Sequence, residues 1–206
     1  NVMYPPVDIE KFKIQNSRLS GESPKEATKF KVNEKDYLLV VSRLVSYKRV
    51  DLVIEACNKL NVPLVIIGDG LDRSRLERLA GPTIRFMTGY LTDAELSSYY
   101  RDCRALVMAQ DEDFGITALE ALGHGKPVIS LRDSAVAEIV EDAKTGLLFN
   151  EQTVDSLTDA LNRFDRLVFD LDVCRKRALQ FHAMSFQQSM KTVVATLYRQ
   201  YQRRLR

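Results

Sequence analysis

Short apolar runs alternate with segments of helical periodicity over most of this chain. The apolar runs are rich in strand-forming residues and lie at 37–41, 63–70, 83–89, 105–109, 127–130 and 146–149. Apolar residues at helical spacing occur at 48–60, 72–80, 92–103, from near Gly115, at 134–142, at 153–164 and in two stretches reaching 206. Strands that are apolar throughout and separated by helices are typical of a parallel sheet covered on both faces. We therefore predict an α/β fold with a doubly wound, Rossmann-like parallel sheet.

The composition fits a folded domain and argues against several classes of protein. Hydrophobic residues make up 45% of the 206 residues, which is enough for a normal core. The net charge of +2 gives no indication of a nucleic-acid partner. The three cysteines, Cys57, Cys103 and Cys174, form no CxxC pair, and only two histidines are present. We therefore expect reduced, mostly buried thiols in a cytoplasmic protein, without a zinc site.

The sequence suggests three parts. Residues 1–36 are polar and irregular, and Pro5-Pro6 is typical of a connector, so we expect an interdomain linker and a surface loop belonging to a longer protein. Residues 37–184 form the predicted Rossmann-like domain, and 185–206 form a C-terminal helix. No apolar run approaches the roughly 20 residues that span a bilayer.

Two cations follow the first apolar run. In an open parallel sheet, ligands bind at the carboxyl ends of the strands. Arg43 offers a planar fork of donors there, and Lys48, five residues later, offers a compact charge. Together they suit a diphosphate. The alternative is a pair of solvated surface charges, which is the default on spacing alone because charged residues are mostly exposed.

The second and third runs end in less specific signals. Gly68-Asp69-Gly70 allows a tight turn or the close approach of a ligand, but it is neither a GxGxxG fingerprint nor a P-loop. A plain strand-to-helix turn explains it equally well. Tyr90 and Leu91 follow the third run, where they suit either the flank of a flat base or ordinary core packing.

The fourth run leads into an apolar helix with a carboxylate on each side of its start. We expect 114–117, Phe-Gly-Ile-Thr, to form the first turn, whose free N–H groups favour an anion. Glu112 lies just before that turn and suits hydrogen bonds from sugar hydroxyls. Glu120 lies farther along, where it suits the two hydroxyls of a ribose. An exposed helix glutamate is the alternative, but the apolar surroundings of Glu120 suggest burial, and a buried carboxylate needs a partner.

The acids of 111–113 leave a metal site as a further alternative. Asp111 and Asp113 form a DxD pattern after an apolar strand, and with Glu112 they offer oxygen ligands for Mg²⁺ or Mn²⁺. We favour a site without metal, because Arg43 and Lys48 supply positive charge for the same purpose.

Several stretches together resemble a known family. They are "SRLVSYKRVD", "VIIGDG", "EDFGITALEALGHGKPVI" and "EIVEDAKTGLLF", and "YPPVD" near the start is similar to an interdomain linker. They resemble the C-terminal, donor-binding half of GT-B retaining glycosyltransferases of family four, of the bacterial polysaccharide mannosyl- or glucosyltransferase type. Glu112 and Glu120 match the E-x7-E pair of that family.

The resemblance implies a role for each matching position. Arg43 and Lys48 would bind and stabilise the departing diphosphate of the donor, and Glu112 would hold its sugar, so these three are the catalytic candidates. The remaining donor-binding candidates are Ser42, Gly68, Met87, Tyr90, Leu91, Phe114, Gly115, Ile116, Thr117 and Glu120. Of these, Met87, Tyr90 and Leu91 would lie near the base, Phe114, Gly115 and Ile116 near the sugar, Thr117 near the phosphates and Glu120 on the ribose.

Three positions depart from the family pattern. Ser42 stands where a glycine usually precedes the arginine. The usual Gly-Gly before the glutamate that Glu138 matches is replaced within "LRDSAVAE". His124 stands at a position that is usually small, and a structural role is the default for it.

The implied activity is retaining hexosyl transfer from a nucleotide-diphosphate sugar, UDP-hexose or GDP-mannose, with no cofactor and no metal. The acceptor, a glycan or lipid-linked molecule, would be bound by an N-terminal domain that this chain lacks. A nucleotide-sugar epimerase on the same fold and a non-catalytic nucleotide-sugar-binding module are the alternatives. The basic end "RQYQRRLR" suits contact with an anionic membrane surface at the inner face, and a solvated helix end explains it as well.

Overall fold

The computed structural model describes residues 37–87 and 89–204, and the predicted linker and loop at 1–36 lie outside the described residues. The strands are β1 Leu38–Val41, β2 Leu64–Ile67, β3 Ile84–Met87, β4 Ala105–Met108, β5 Val128–Leu131 and β6 Gly146–Phe149. The α-helices are α1 Val50–Leu60, α2 Arg73–Leu79, α3 Asp93–Asp102, α4 Ile116–Gly123, α5 Val154–Phe164, α6 Leu171–Leu179 and α7 Ala183–Arg204. Short 3₁₀ helices span Ser46–Lys48 and Ala135–Glu138.

The described strands form one six-stranded sheet in the order β3-β2-β1-β4-β5-β6, and every neighbouring pair is parallel. The chain first builds outward from β1 to β3, then returns to the other side of β1 and builds outward to β6. This is the doubly wound order of a Rossmann-like fold, so the predicted fold class is confirmed.

The sheet is covered on both faces, as the apolar strands predict. In β1, Leu38 and Val40 pack into one core cluster, with side chains of α1, α2 and α5. Leu39, between them, points to the opposite face and packs with side chains of α3, α4 and α6. This alternation of side chains within an entirely apolar strand makes the three layers, helix, sheet and helix.

Two details of the sequence prediction are confirmed, the start of the helix predicted at 92–103 and the free, buried state of the three cysteines. Thr92 and Glu95 form a capping box at the start of α3, with the Glu95 carboxylate accepting from the backbone N–H of Thr92. The three cysteines are free and buried. Among the described helices, none is both long and apolar enough to cross a membrane.

Three predicted helix boundaries are wrong, and each has a local cause. The segment 48–60 is not one helix, because Arg49 has a left-handed backbone that separates the 3₁₀ turn from α1. The helix predicted from Phe114 begins at Ile116, because Gly115 has a φ of 97°. The helix predicted at 134–142 is only a 3₁₀ helix, since the chain turns at Asp142 to pair with Gly146 at the start of β6.

Candidate functional site

The carboxyl ends of β1 and β4 lie side by side at the point where the strand order reverses. Chain segments leave this point in opposite directions along the sheet, which opens a crevice there. The loop after β1 carries Arg43 and Lys48, and the loop after β4 carries Glu112. Three catalytic candidates therefore come from the two central strands of the sheet.

A cavity of about 450 Å³ opens at the carboxyl ends of β1, β2 and β3. Five predicted donor-binding residues line it, namely Ser42, Arg43, Gly68, Tyr90 and Leu91. Its other lining residues are Val41, Ile67, Asp69, Gly89 and Leu96. Tyr90 is 91% exposed, while Met87 and Leu91 pack against the core cluster beneath α3. The cavity thus has an apolar floor and a mostly exposed aromatic ring at its edge.

Gly68 is required by the close approach of two loops. A Cβ at this position would lie 1.8 Å from the carbonyl oxygen of Ser42, and its φ of 142° is one that other residues rarely adopt. The two loops are joined by backbone hydrogen bonds from Ser42 N to Ile67 O and from Leu44 N to Asp69 O. The glycine therefore fixes the loop that carries Arg43, in addition to lining the cavity.

Arg43 presents an available cation to this cavity. It is exposed, and its guanidinium forms no hydrogen bond or ion pair with the described residues. Ser42 donates its hydroxyl to the carbonyl of Arg43 at 3.2 Å. A planar guanidinium without a carboxylate partner is suited to bidentate hydrogen bonding of a multiply charged anion such as a diphosphate.

Lys48 and Glu112 are bonded directly to each other. The Nζ atom of Lys48 lies 2.6 Å from Oε2 of Glu112, and both side chains are largely shielded from solvent. The side-chain amide of Gln110 donates to the same oxygen at 2.9 Å. Burial raises the pKa of the Glu112 carboxyl, but the hydrogen bonds from Lys48 and Gln110 outweigh it, so the pKa lies below its usual value. Glu112 is therefore a carboxylate at neutral pH.

The loop after β5 holds the backbone of Glu112 in place. Ser134 accepts a hydrogen bond from the Glu112 N–H at 3.1 Å, and Ala135 donates its N–H to the Glu112 carbonyl at 3.1 Å. The sequence identified this stretch only as a departure from the family's Gly-Gly pair. Ser134 is thus a residue of the site that sequence reasoning missed.

A second missed group supports the same loop from the other side. Gln152 donates its side-chain amide to the carbonyl of Ala109, the first residue after β4, at 2.9 Å. Arg49 in turn donates to the side-chain oxygen of Gln152 at 2.9 Å. These contacts tie the loop after β1 to the loop after β4 through a residue of the β6–α5 connection. No motif spacing signals a contact between positions so far apart in the sequence.

The residues at the start of α4 have different environments. Gly115 caps the helix, and Ile116 is exposed in its first turn. Phe114 packs edge to face on Phe181, with ring centroids 6.5 Å apart. Thr117 donates its hydroxyl to the sulfur of Met108 at 3.6 Å. Backbone N–H groups therefore remain the main polar groups that this turn can offer an anion.

Glu120 is partly buried and has the partner that a carboxylate in such surroundings requires. The hydroxyl of Tyr100 donates to its Oε2 at 2.7 Å. Burial raises the pKa of the Glu120 carboxyl and nearby Asp93 adds to this, while the Tyr100 hydrogen bond opposes both. The net effect is a raised pKa. Desolvation therefore destabilises the charged form of Glu120, and the hydrogen bond from Tyr100 partly offsets this effect.

His124 is a structural residue. It is 8% exposed, and its ring stacks on Tyr100 with centroids 5.2 Å apart. Its nitrogens lie 2.7 Å from the Ser97 hydroxyl and 2.8 Å from the Glu120 carbonyl. Burial lowers the pKa of His124, so the ring is neutral at neutral pH. The default interpretation of this position agrees with its geometry.

Asp111 and Asp113, the two outer acids of the alternative metal site, are exposed. In the part of the chain that the structure describes, no group of three or more His, Cys, Asp or Glu side chains is gathered closely enough to hold a metal ion. The prediction that the site needs no metal remains a prediction.

Comparisons with known proteins agree with the geometry. The family model described as glycosyl transferases group 1 matches residues 23–167. The sulfoquinovosyl transferase SQD2 of Arabidopsis thaliana is 31% identical over 142 residues, covering 66% of this chain and 27% of that protein. A GDP-mannose-dependent alpha-mannosyltransferase of Mycolicibacterium smegmatis is 34% identical over 111 residues, covering 53% of this chain and 29% of that protein.

The fold itself recurs among solved structures. The crystal structure of Anabaena HepE in complex with UDP and glucose superposes with a TM-score of 0.74 at 19% identity, covering 95% of this chain and 56% of that one. At this identity the likeness shows the fold alone. The present chain spans less than two thirds of each of these three proteins.

Proposed function

This chain belongs to the glycosyl transferases group 1 family, and from that membership we propose that it is the donor-binding half of a retaining glycosyltransferase. The whole enzyme would transfer a hexosyl group from a nucleotide-diphosphate sugar to a glycan or lipid-linked acceptor. The acceptor would be bound by a domain outside this chain. The observation that carries the proposal is the Lys48–Glu112 bond between the loops that follow β1 and β4, the first of which also carries Arg43.

The proposed chemistry is electrostatic. When the bond between the anomeric carbon and the diphosphate oxygen breaks, negative charge grows on the leaving group. Arg43, which has no carboxylate partner among the described residues, and Lys48 would stabilise that charge. Glu112, ionised and held by Gln110 and Ser134, would accept hydrogen bonds from the sugar hydroxyls. Retention follows if the acceptor attacks the face from which the diphosphate departs, and no protein nucleophile is needed.

The nucleotide would occupy the cavity at the carboxyl ends of β1, β2 and β3. The base would lie near Leu91 and Tyr90, whose side chains line the cavity, with Met87 in the core beneath. The ribose would be bound by Glu120. Both donor classes are represented among the proteins compared above, since one is named as GDP-mannose-dependent and another was solved with UDP and glucose. We therefore propose UDP-hexose or GDP-mannose as the donor.

No metal is needed in this proposal. Arg43 supplies a positive charge on the loop after β1, and Lys48 supplies a second one that its bond to Glu112 partly neutralises. In the proposal these two cations act in place of a divalent metal ion. The proposal therefore requires that donor binding persists when divalent cations are removed.

The last helix is proposed to contact the rest of the full-length protein. In α7 the side chains of Val194, Leu197, Tyr198 and Tyr201 are exposed and lie at spacings of three and four residues, on one face of the helix. The proposed cover for this face is the acceptor-binding domain. Sedimentation of the chain with vesicles containing anionic phospholipid, and not with neutral ones, would instead assign the basic end of this helix to a membrane surface.

Calorimetric titration of the chain with UDP, GDP, UDP-glucose and GDP-mannose, with and without EDTA, tests the proposal. We expect one nucleotide class to bind, unaffected by EDTA, which also identifies the donor class. Binding that is lost with EDTA would contradict the metal-free site and favour the acids of 111–113. Absence of binding of all four ligands would contradict the assignment of this chain as a self-sufficient donor site.

A further inference from the structure

A buried tyrosine connects α3, which contributes Leu96 to the wall of the cavity, with α4, which carries Glu120. Tyr100, on α3, is 1% exposed, and its hydroxyl donates to the Oε2 atom of Glu120, on α4, at 2.7 Å. Its ring is stacked on His124, which is itself held by Ser97 and the Glu120 carbonyl. The face of the tyrosine ring is therefore fixed by His124, the C-cap residue of α4, and its hydroxyl by Glu120 within that helix.

The hydroxyl has a cost that packing alone does not explain. A buried hydroxyl is destabilising unless it is hydrogen-bonded, and a phenylalanine would fill the same space without that requirement. The partner of this hydroxyl is a carboxylate that is itself partly desolvated. Burial is unfavourable both for the tyrosine hydroxyl and for the carboxylate, yet the fold places the two in contact. This contact indicates that the fold constrains the position of the carboxylate.

The hydrogen bond from Tyr100 uses only part of the hydrogen-bonding capacity of the Glu120 carboxylate. A carboxylate has two oxygens and about four lone-pair sites. Tyr100 occupies one site on Oε2, which limits rotation of the carboxylate plane and leaves Oε1 for another donor. Leu96, four residues before Tyr100 and so on the same face of α3, lines the cavity. The tyrosine therefore acts one helical turn from the wall of the proposed nucleotide pocket.

We propose that Tyr100 is a positioning residue that orients Glu120 to accept hydrogen bonds from the ribose hydroxyls, and so sets a preference for ribo- over deoxyribonucleotides. This inference rests on the proposed function, because it assumes that the pocket holds a nucleoside diphosphate. It adds a residue of α3 that the E-x7-E spacing does not include.

The test compares Tyr100→Phe with wild type by calorimetric titration of UDP, GDP and their 2′-deoxy forms. The substitution keeps the ring and removes only the hydroxyl. We expect wild type to bind the ribonucleotide of its preferred base more tightly than the deoxy form, and the ratio to fall by about fivefold to tenfold in Tyr100→Phe, as for the loss of an ordinary hydrogen bond. Affinity for the deoxy form should change little.

Ser97→Ala is the matched control, because it removes a buried hydrogen bond to His124 in the same cluster without touching the Tyr100–Glu120 contact. It should lower the thermal midpoint and leave the ribose preference unchanged. Equal loss of preference in Ser97→Ala and Tyr100→Phe would overturn the inference, because it would show that general loosening of the cluster is the cause.

Two further outcomes separate the inference from the proposed function. If wild type prefers the ribonucleotide and Tyr100→Phe keeps the full preference, the positioning role is wrong and the donor site stands. If wild type binds neither UDP nor GDP, the proposed function fails and the inference fails with it. Should Tyr100→Phe not fold, Glu120→Asp replaces it, since the shorter carboxylate loses the reach to Tyr100; a retained ribose preference in that variant overturns the inference.

Discussion

The Nζ atom of Lys48 lies 2.6 Å from the Oε2 atom of Glu112, although 64 residues separate them in the chain. The two groups are proposed to contact different parts of one donor, Lys48 the diphosphate and Glu112 the sugar. Because they are bonded to each other, the charge of Lys48 is partly neutralised before any phosphate arrives. The affinity for the diphosphate and the affinity for the sugar are therefore coupled through this pair.

The coupling predicts opposite effects of Glu112→Gln on two ligands. The substitution keeps the shape of the side chain and removes its charge, so Lys48 is no longer neutralised. We expect the nucleoside diphosphate alone to bind about threefold to tenfold more tightly, for an ion pair worth roughly 1 kcal/mol. The nucleotide sugar should bind less tightly, because an amide oxygen is a weaker acceptor for its hydroxyls. Calorimetric titration with both ligands measures the two effects.

Asp133→Asn is the control for this prediction. Asp133 is an exposed acid in the loop after β5, at the same edge of the sheet, so its removal changes the net charge equally. It should leave both affinities nearly unchanged. Tighter binding of the diphosphate in both variants would show that long-range charge is responsible, and not the Lys48–Glu112 bond.

Sequence reasoning predicted the fold because its signals are local. Each strand is a short, wholly apolar run, and the same periodicity that places Leu38 and Leu39 on opposite faces predicts helices on both sides. Motif spacing also identified Glu112 and Glu120 as candidates. Motif spacing did not predict the contacts of these glutamates, because Ser134 and Tyr100 reach them across 22 and 20 residues of the chain. Such contacts depend on how the loops meet in the folded chain, which no spacing encodes.

Glu120→Gln should separate stability from binding. Burial raises the pKa of Glu120 in the folded chain, so the carboxyl gives up its proton more readily when the chain is unfolded. The free energy of unfolding therefore falls as the pH rises from the pKa of the unfolded state toward that of the folded state. Of the groups of α3 that act on Glu120, the Tyr100 hydrogen bond lowers its pKa and the charge of Asp93 raises it. The neutral amide avoids this loss, so we expect a higher urea midpoint than wild type at pH 7. Nucleotide binding should weaken, because an amide is a poorer partner for ribose hydroxyls.

The pH dependence of the difference provides the check. Urea unfolding of wild type and Glu120→Gln at pH 7 and near pH 4 should show the advantage of the variant at pH 7 and a smaller one at pH 4, where the wild-type carboxyl is increasingly protonated. A constant difference would mean that packing, and not the ionisation of Glu120, accounts for it.

Gly68→Ala should damage the loop that carries Arg43. The new Cβ would lie 1.8 Å from the Ser42 carbonyl oxygen, so the β1 and β2 loops must separate and the hydrogen bonds between them weaken. We expect a loss of several kcal/mol in the free energy of unfolding, as for other strained backbone substitutions that also clash. Nucleotide affinity should fall with it, because Ser42 and Arg43 move.

Gly89→Ala distinguishes the clash from backbone strain. Gly89 also has a positive φ, 87°, and also lines the cavity, but a Cβ there would meet nothing within 4 Å. Its substitution should cost only about 1–2 kcal/mol, the usual penalty for a left-handed residue other than glycine. Urea unfolding of both variants gives the comparison, and equal losses would contradict the close approach of the two loops at Gly68.

Arg43→Ala should remove function without removing stability. The Arg43 side chain is exposed and forms no bond to the described residues, so nothing in the described fold depends on it. In the proposed mechanism its charge stabilises the departing diphosphate, and loss of such a group costs about 3–4 kcal/mol of transition-state stabilisation, or roughly a hundredfold to a thousandfold in turnover. The measurements are urea unfolding of this chain and transfer kinetics of the full-length enzyme.

Arg78→Ala, which removes an exposed arginine from the end of α2 away from the crevice, is the matched control and should leave both stability and turnover unchanged. Normal turnover in Arg43→Ala would rule out this residue as a stabiliser of the leaving group, and a large loss of stability would show that it supports the fold instead.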